Sequence, residues 1–274
     1  LARDNRVIDI NVNKPWALPF TPALSFSAKC QFIRGLWRCR EMLTRDKSFE
    51  LVDDASGGQP ESAQAFGERM FGREVTDYIL DPLCRVIVGT GAEGSTYLGV
   101  IAGLSAWSHQ LINLRGGMET MPFAIAKKLD NVILGAQVQL IDDDDHGVKV
   151  TWRDAQGMQR TSEADICVVT ATLDIVPKIY PRVAGIVAEY AQKMRFLGLV
   201  SISLAYAAPT NSKAFTVLIP SVVDRDLLLF FLDHQKAPDR APPGHSLITL
   251  YNDGDAWPQY GTMPDEQLIA WARE

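Results

Sequence analysis

The chain has 274 residues, of which 47% are hydrophobic and 22% charged, and its formal net charge is −6. These proportions are ordinary for a globular protein and argue against a disordered chain. The sequence has no dense run of Lys and Arg, so binding to nucleic acid, which requires such clusters, is disfavoured. No apolar run reaches the roughly 20 residues that span a bilayer. The length allows one large domain or two ordinary ones.

Four cysteines are scattered along the chain, at positions 30, 39, 84 and 167, and no two form a C-x-x-C pair. Reduced thiols packed as small apolar side chains are therefore favoured over disulfides or metal ligands. Such usage predicts a reducing, cytoplasmic location.

The two ends of the sequence suggest a longer polypeptide. Leu1 opens without a leader, and residue 274 falls inside the helical pattern of residues 265–273. We therefore expect these residues to be a piece of a larger protein.

The first section is predicted to be mostly helical. A strand near residues 7–10 and a proline-stiffened path to residue 24 precede a helix predicted over residues 25–50. One face of that helix is apolar: Phe32, Leu36, Cys39, Met42 and Leu43. Its basic residues lie mostly off that face, where they can meet an anionic ligand, although a solvated surface is favoured.

A Gly-Gly-Gln-Pro linker at residues 57–60 is followed by more helical patterns. One helix is predicted to end near Gly72, another to start near Glu74, and a third to run over residues 96–112. Apolar residues at Val75 and every third or fourth position after it define the buried face of the second.

The segment Gly89-Thr90-Gly91-Ala92-Glu93-Gly94 matches the G-x-G-x-x-G pattern of dinucleotide-binding turns. In such turns, glycines let the backbone approach a pyrophosphate at a helix N-terminus. Two features oppose this interpretation. No Asp or Glu lies between Ser95 and Met118 to bind a ribose hydroxyl, and Val86–Val88 continues the preceding helical pattern. A loop between helices is favoured, and a nicotinamide enzyme is the weakest functional alternative.

The central stretch, residues 115–177, combines an Arg-Gly-Gly turn, a helix, a hairpin and a buried strand. The helix has its apolar face at Met118, Met121, Ile125, Ala126 and Leu129. The hairpin alternates apolar residues at Val138, Leu140, Val148, Val150 and Trp152. Residues 166–169 are apolar without alternation, which is typical of a strand covered on both faces. These elements predict an accessory layer of a nucleotide-binding α/β domain.

Metal chemistry has little support in the sequence. The run of residues 142–147, Asp-Asp-Asp-Asp-His-Gly, resembles a calcium loop, but its fifth ligand position is His146 and its twelfth is Arg153. A charged hairpin tip is favoured. The remaining histidines, at positions 109, 234 and 245, are far apart, so no metal site or Ser-His-Asp arrangement is predicted.

The last section predicts a sheet with helices. A short helix is expected over residues 183–194. Strands are expected over residues 198–206, 214–219, 226–233 and 246–251. Tyr206 and Phe231 are candidate aromatic wall residues for a ligand, although a place in the buried core is favoured for both.

Several segments together resemble the flavin-containing amine oxidase and protoporphyrinogen oxidase superfamily. The closest agreement is in Arg115-Gly116-Gly117-Met118, then Met121-Pro122 and Ala126, then Val138, then Ala164-Asp165 before an apolar strand. Residues 66–75, 80–82, 236–242 and 265–268 resemble the protoporphyrinogen oxidase branch. The resemblance covers most of residues 60–274.

The resemblance implies an α+β fold. It predicts a helical section plus a mixed or antiparallel sheet of a flavin-oxidase substrate-binding domain, with an inserted βββ/α segment of the FAD-binding domain. Residues 1–114 would form the first part of the substrate-binding domain, residues 115–177 the FAD-binding segment, and residues 178–274 the second substrate-binding part. The N-terminal βαβ fingerprint and the C-terminal glycine-rich segment of the superfamily are not found in this sequence.

By the same resemblance, the cofactor is FAD. The implied cofactor-binding residues are Arg115, Gly116, Gly117, Met118 and Val138, of which Val138 would meet the adenine through its backbone. The two glycines allow positive φ angles and close approach of the backbone to a ligand.

The function implied is that of an FAD-dependent oxidoreductase that removes hydride from a C–N or C–C unit of a small apolar organic substrate. No catalytic residue is assigned. A related polyene (carotenoid) desaturase, or a stand-alone binding module for a ligand or partner without flavin, are the alternatives. Peripheral contact with a membrane and the oligomeric state are left open.

Overall fold

The computed structural model describes residues 1–4, 6–11, 14–44, 61–106, 112–192, 194–237 and 239–273. The predicted linker at residues 57–60, the end of the helix predicted over residues 25–50, and His109 lie outside the described residues. Contacts divide the chain into two units, residues 1–117 with 197–274 and residues 118–196. The assignment of the chain to substrate-binding and FAD-binding parts stays a prediction.

The first unit begins with a small ribbon that ends at Val7, so the strand predicted near residues 7–10 is present only at its first residue. The mostly helical character predicted for the section that follows is confirmed. The elements of this unit up to residue 117 are β1 (Ala2–Arg3), β2 (Arg6–Val7), a 3-10 helix (Pro15–Phe20), α1 (Phe26–Thr44), α2 (Ala63–Phe71), α3 (Arg73–Val75), a π-helical segment (Thr76–Leu80), α4 (Asp81–Val88) and α5 (Tyr97–Ala106).

Helix α1 packs one face into the core of this unit. Phe32 and Cys39 are fully buried on that face, and the Phe32 ring meets the Phe71 ring of α2 edge-on with centroids 5.9 Å apart. Gly35 lies between Phe32 and Cys39 on the same face of α1, and the absence of a side chain there leaves room for the Phe71 ring. The apolar face predicted for α1 is therefore confirmed, and its arginines at positions 34, 38 and 40 are exposed, as predicted for a solvated surface.

Both ends of α2 follow from local chemistry. The Ser62 side chain accepts a hydrogen bond from the Ala65 amide, which satisfies one of the free donors of the first turn. Gly72 ends the helix with a φ of 85°, a conformation that glycine adopts without strain. The predicted end of this helix near Gly72 is confirmed.

The C-terminal part of the first unit is built on an antiparallel sheet of four strands. These are β6 (Ser201–Tyr206), β7 (Thr216–Leu218), β8 (Leu227–Leu232) and β9 (Ser246–Asn252), in the order β6-β9-β8-β7. The helical elements around them are α9 (Asp233–Lys236), a 3-10 helix (Gly254–Ala256), α10 (Trp257–Tyr260) and α11 (Asp265–Arg273). All four predicted strands are confirmed.

The second unit contains a three-stranded antiparallel sheet with short helices. Its elements are α6 (Thr120–Ala126), β3 (Gln137–Asp144), β4 (Gly147–Arg153), β5 (Gln159–Ala164), α7 (Val176–Ile179), a 3-10 helix (Pro181–Val183) and α8 (Ala184–Ala191). The strands pair in the order β3-β4-β5. The predicted hairpin and the short helix near residue 185 are confirmed.

The prediction of a buried strand at residues 166–169 is wrong. These residues form no strand, and Ile166 and Val168 are 79% and 81% exposed. A strand requires a neighbour for its backbone hydrogen bonds, and β5 already ends at Ala164. Ile141 is the one buried residue in the described part of this unit. The apolar pattern thus identified a hydrophobic segment but neither its pairing nor its burial.

The cysteines differ in accessibility, which predicts their reactivity. Cys30 is exposed on α1, whereas Cys39 and Cys84 are buried and Cys167 is half-buried. Burial raises the pKa of the Cys84 thiol to about 12 and also raises the pKa of Cys39, so neither forms the reactive thiolate near neutral pH. Titration with a chromogenic disulfide should therefore show a fast phase from Cys30, with Cys39 and Cys84 reacting only on unfolding.

The variant Cys30→Ser provides the control for this titration. This variant should lose the fast phase, and Cys39 and Cys84 should still react only when the protein unfolds. A fast phase that persists in Cys30→Ser, and that peptide mapping assigns to Cys84, would contradict the burial described here.

Candidate functional site

The Arg-Gly-Gly turn, residues 115–117, lies in the first unit. Gly116 and Gly117 have φ angles of 80° and 105°, values that side-chain-bearing residues rarely adopt. The Gly116 amide donates to Asp239 Oδ2 at 3.1 Å, and the Gly117 amide donates to the Leu114 carbonyl at 3.2 Å. The turn therefore requires both glycines and presents a backbone donor to an anionic oxygen.

The surroundings of this turn are cationic. The hydrogen bond from the Gly116 amide lowers the pKa of the Asp239 carboxyl, and the guanidinium charges of Arg240 and Arg115 lower it further by smaller amounts. A Cβ atom added to Gly117 would lie 3.3 Å from Arg240 Nη1. A backbone amide beside two arginines is the donor set that binds phosphate and carboxylate groups. In this structure the carboxylate that it binds is that of Asp239.

Met118 and Val138, the other predicted FAD contacts, lie in the second unit. Met118 is exposed just before α6. Val138 pairs with Trp152 near the start of β3, and a β-bulge separates it from Leu140. Strand β3 is at the edge of the sheet, so its outer backbone groups have no strand neighbour within the part of this unit that is described. This placement suits a ligand contact through backbone atoms, but the role of all five residues in FAD binding stays a prediction.

The G-x-G-x-x-G segment is a loop between helices, as favoured from the sequence. Val86–Val88 form the last turn of α4, and Gly89, with a φ of 86°, is its left-handed C-cap. A dinucleotide-binding turn requires a strand immediately before it, whereas this loop is preceded by helix α4. Its glycines serve packing instead: a Cβ atom on Gly91 would lie 2.6 Å from Ser221 Oγ and 2.7 Å from Asp81 Oδ1.

The Asp81 carboxylate joins this loop to Ser221. It accepts hydrogen bonds from the Ala92 amide at 2.9 Å and from the amide and hydroxyl of Ser221, each at 2.8 Å. The adjoining cleft, of about 260 Å³, is lined by further carboxylates such as Asp77 and Glu93. Arg73 and Arg225 line the same cleft. Because this loop follows a helix rather than a strand, it gives the nicotinamide alternative no support, and that alternative stays the weakest prediction.

Arg85 of α4 is buried in the same region, and the sequence analysis missed its importance. Its guanidinium donates to the carbonyls of Ile219, Arg225 and Leu227 at 2.7–2.8 Å. Its Nε lies 3.1 Å from Asp253 Oδ2. Burial raises the pKa of the Asp253 carboxyl, and the charge of Arg85 offsets part of this rise. Arg85 thus links α4 to the loop before β8. An arginine within the apolar run of residues 83–88 was the available signal.

One face of the four-stranded sheet carries an aromatic pair. Phe231 of β8 and Tyr251 of β9 meet edge-on with ring centroids 5.9 Å apart, and Lys236 Nζ lies 3.7 Å from the Phe231 ring centroid. The register pairs Phe231 with Thr249, and Thr249 with Ser203, so these residues share the face.

Tyr206, the other candidate wall residue, lies on the opposite face. It is three residues from Ser203 on β6, and successive strand residues alternate between faces. Its side chain is 45% exposed, so a place in the buried core is wrong for Tyr206. Phe231 is half-buried. The two candidates cannot line one wall.

Polar groups adjoin the aromatic pair on this face. The Thr249 hydroxyl donates to Asp233 Oδ2 at 2.5 Å and lies 3.0 Å from Ser203 Oγ. Asp233 also pairs with Lys236 at 3.3 Å. An aromatic surface beside one hydrogen-bonded ion pair can hold an apolar molecule and orient a single polar group.

The acidic run at residues 142–147 forms a charged hairpin tip, as predicted. Asp143 accepts a hydrogen bond from the Tyr180 hydroxyl at 2.8 Å and pairs with Arg182 at 2.9 Å, and these contacts lower the pKa of its carboxyl. Asp144 accepts the His146 amide. The described residues contain no group of three His, Cys, Asp or Glu side chains placed to hold a metal ion.

Among the described residues, every helix is too short or too polar to cross a bilayer.

The solved structures that resemble this chain are flavin-oxidase fold proteins. A protein from Exiguobacterium sp. 255-15, provisionally named a protoporphyrinogen oxidase, matches with a TM-score of 0.59 and 14% identity over 94% of this chain. An oxidoreductase from Methanosarcina mazei matches with a TM-score of 0.53 and 14% identity over 97% of this chain. Putrescine oxidase with bound putrescine matches with a TM-score of 0.62 and 14% identity over 89%. These identities indicate a shared fold.

The chain spans 57%, 57% and 56% of the lengths of those three proteins. A comparison with curated proteins finds no match. The model of one family, however, matches nearly the whole sequence, over residues 5–274. The chain accordingly belongs to the flavin-containing amine oxidoreductase family.

Proposed function

We propose that the protein to which this chain belongs is an FAD-dependent oxidoreductase. The observation that carries the proposal is the family match over residues 5–274. The family description specifies a flavin, and FAD is the flavin that we propose. When bound, FAD would accept the hydride that leaves the substrate, and the protein would supply binding, orientation and exclusion of water.

The Arg-Gly-Gly turn supports this choice of cofactor. Gly116 and Gly117 have the backbone conformation that close approach of a ligand requires, and the turn already holds a carboxylate oxygen through a backbone amide. A phosphate oxygen of FAD has the same acceptor chemistry, and the FAD pyrophosphate as a whole carries two negative charges where a carboxylate carries one. We propose Arg115, Gly116, Gly117 and Met118 as contacts to FAD, with Val138 contacting the adenine through its backbone.

The aromatic face of the sheet supports an apolar substrate. We propose that Phe231 and Tyr251 pack against the substrate while Asp233 and Lys236 orient its polar end. A hydride would leave a C–N or C–C unit, and the electrons would pass to oxygen or another acceptor. The structural neighbours include a putrescine oxidase and a protein named for protoporphyrinogen oxidation. Polyene desaturation is the second substrate class.

Flavin binding by the full-length protein tests the proposal. We expect the purified protein to be yellow, and to lose about tenfold or more in FAD affinity when Gly117 is changed to valine, because strain at a positive φ angle costs on the order of 1–3 kcal/mol. Fluorescence titration with FAD measures the affinity. The matched control is Gly244→Val, which has a φ of 79° and nothing within 4 Å of the added Cβ.

The outcomes separate the alternatives. If Gly117→Val and Gly244→Val bind FAD equally well, the turn is not a flavin contact. A colourless full-length protein that does not take up added FAD would instead favour the stand-alone binding module. If the protein binds flavin, the substrate class can be identified by adding a diamine, a porphyrinogen or a polyene without oxygen and measuring which of them bleaches the flavin absorbance.

A further inference from the structure

Helix α1 carries an apolar stripe on the side that faces away from the core. Phe26, Ile33 and Trp37 are 82%, 46% and 66% exposed, and Cys30, which lies between them, is also exposed. At about 100° per residue, these four positions fall within an arc of about 60°. Large apolar side chains aligned in this way on a surface mark an interaction site.

The stripe is held rigidly because the opposite side of the helix is in the core. Phe32, Gly35 and Cys39 lie on that opposite side and are buried. At the helix N-terminus, the Glu74 carboxylate accepts hydrogen bonds from the amide and hydroxyl of Ser25. The exposed side chains are therefore an outward feature of a fixed helix, and their exposure does not result from a frayed end.

Basic residues flank the stripe on both sides. By helical position, Lys29 and Arg40 border one edge, and Arg34 and Arg38 border the other, where the single acidic residue Glu41 also lies. The Arg40 guanidinium also lies over the Trp37 ring, 4.5 Å from its centroid. The helix contains four basic residues and one acidic residue, Glu41, whereas the whole chain has a net charge of −6. Positive charge is thus concentrated where the apolar stripe is.

We propose that the outer face of α1 docks on an anionic membrane surface. Phe26 and Trp37 would enter the interfacial layer, where aromatic rings are favoured, and the four basic side chains would meet lipid phosphates. A basic border on both sides of an apolar stripe matches a flat, negatively charged surface. Self-association through the same face would be opposed, because a two-fold contact sets the patch against itself and places like charges together.

Flotation of the full-length protein with lipid vesicles tests this proposal. We expect binding to vesicles of phosphatidylcholine mixed with phosphatidylglycerol, little binding to phosphatidylcholine alone, and weaker binding as salt is added. Changing Phe26 and Trp37 to serine should lower the partition coefficient by about tenfold or more, and the charge reversal Arg34→Glu with Arg38→Glu should lower it by a similar factor. The matched control is Val223→Ser, an exposed apolar residue of the first unit outside α1.

Cys30 allows an independent measurement at the centre of the stripe. A polarity-sensitive dye attached to Cys30 in a Cys167→Ser variant should shift its emission to the blue when anionic vesicles are added. Equal binding of the α1 variants and Val223→Ser, or equal binding to neutral and anionic vesicles, would overturn the proposal. A concentration-dependent dimer that dissociates in the Phe26 and Trp37 variant would assign the face to a second copy instead. None of these outcomes depends on flavin binding.

Discussion

Changing Arg85 to methionine is expected to destabilise the first unit by about 3–5 kcal/mol, because a buried charge loses its partner. Three carbonyl groups, those of residues 219, 225 and 227, would lose their donors. Asp253, which is itself buried, would lose the cation 3.1 Å from its Oδ2. Urea unfolding followed by far-ultraviolet circular dichroism measures the change in the free energy of unfolding.

The pH dependence of this destabilisation identifies its cause. Burial raises the pKa of Asp253 in the folded state, so the folded protein binds a proton at Asp253 more tightly than the unfolded chain does. A carboxyl of this kind penalises folding as pH rises from its unfolded pKa, about 3.9, through its folded pKa. Without Arg85 the penalty grows. The stability difference between Arg85→Met and the wild type should therefore shrink as pH falls through the folded pKa of Asp253, because this carboxyl then becomes neutral.

A second substitution separates the ion pair from the carbonyl contacts. In the double variant Arg85→Met with Asp253→Asn, no buried charge is left unpaired, so part of the lost stability should return. The carbonyl groups remain without donors, and recovery should be incomplete. If the double variant is no more stable than Arg85→Met, the pairing with Asp253 contributes nothing measurable.

The second large effect is expected at Gly35, where α1 crosses α2. An added Cβ atom would lie 2.2 Å from Phe71 Cδ1, and Phe71 is fully buried with its ring against Phe32. Because the ring has no space to withdraw, Gly35→Ala should destabilise the first unit by about 2–3 kcal/mol. Chemical unfolding of the variant measures the loss.

Gly185 provides a matched helical control. It lies in α8, and no heavy atom is within 4 Å of its added Cβ. Gly185→Ala should therefore stabilise the second unit by up to about 1 kcal/mol, the ordinary gain from replacing glycine in a helix. The two Gly→Ala substitutions should have opposite signs. A gain in stability at both positions would show that α1 and α2 are not packed as closely as described.

Sequence periodicity identified most elements because each depends on local pattern. The face of α1 that contains Phe32 and Cys39 follows from spacings of three and four, and the hairpin of β3 and β4 follows from alternation. The loop after Val88 was also predictable, since the preceding apolar run continued a helix and no acidic residue followed. These features are properties of short stretches of chain.

Pairing and burial were not predictable in the same way. Residues 166–169 have the composition of a buried strand, yet they are exposed and pair with no strand of the described unit. The aromatic pair of Phe231 and Tyr251 depends on the register between β8 and β9, and that register also places Tyr206 on the opposite face. No local pattern encodes which residues of two distant strands lie side by side.

The sequence by itself determined the family, the order of helices and strands, and the glycine turn at residues 115–117, because each is encoded in residues that are neighbours along the chain. The tertiary structure alone decided that Asp239 binds the Gly116 amide, and that Arg85 joins α4 to carbonyl groups more than 130 residues away. It also decided which side of α1 stays exposed. These features depend on long-range packing, in which the partner of each group is set by the fold as a whole.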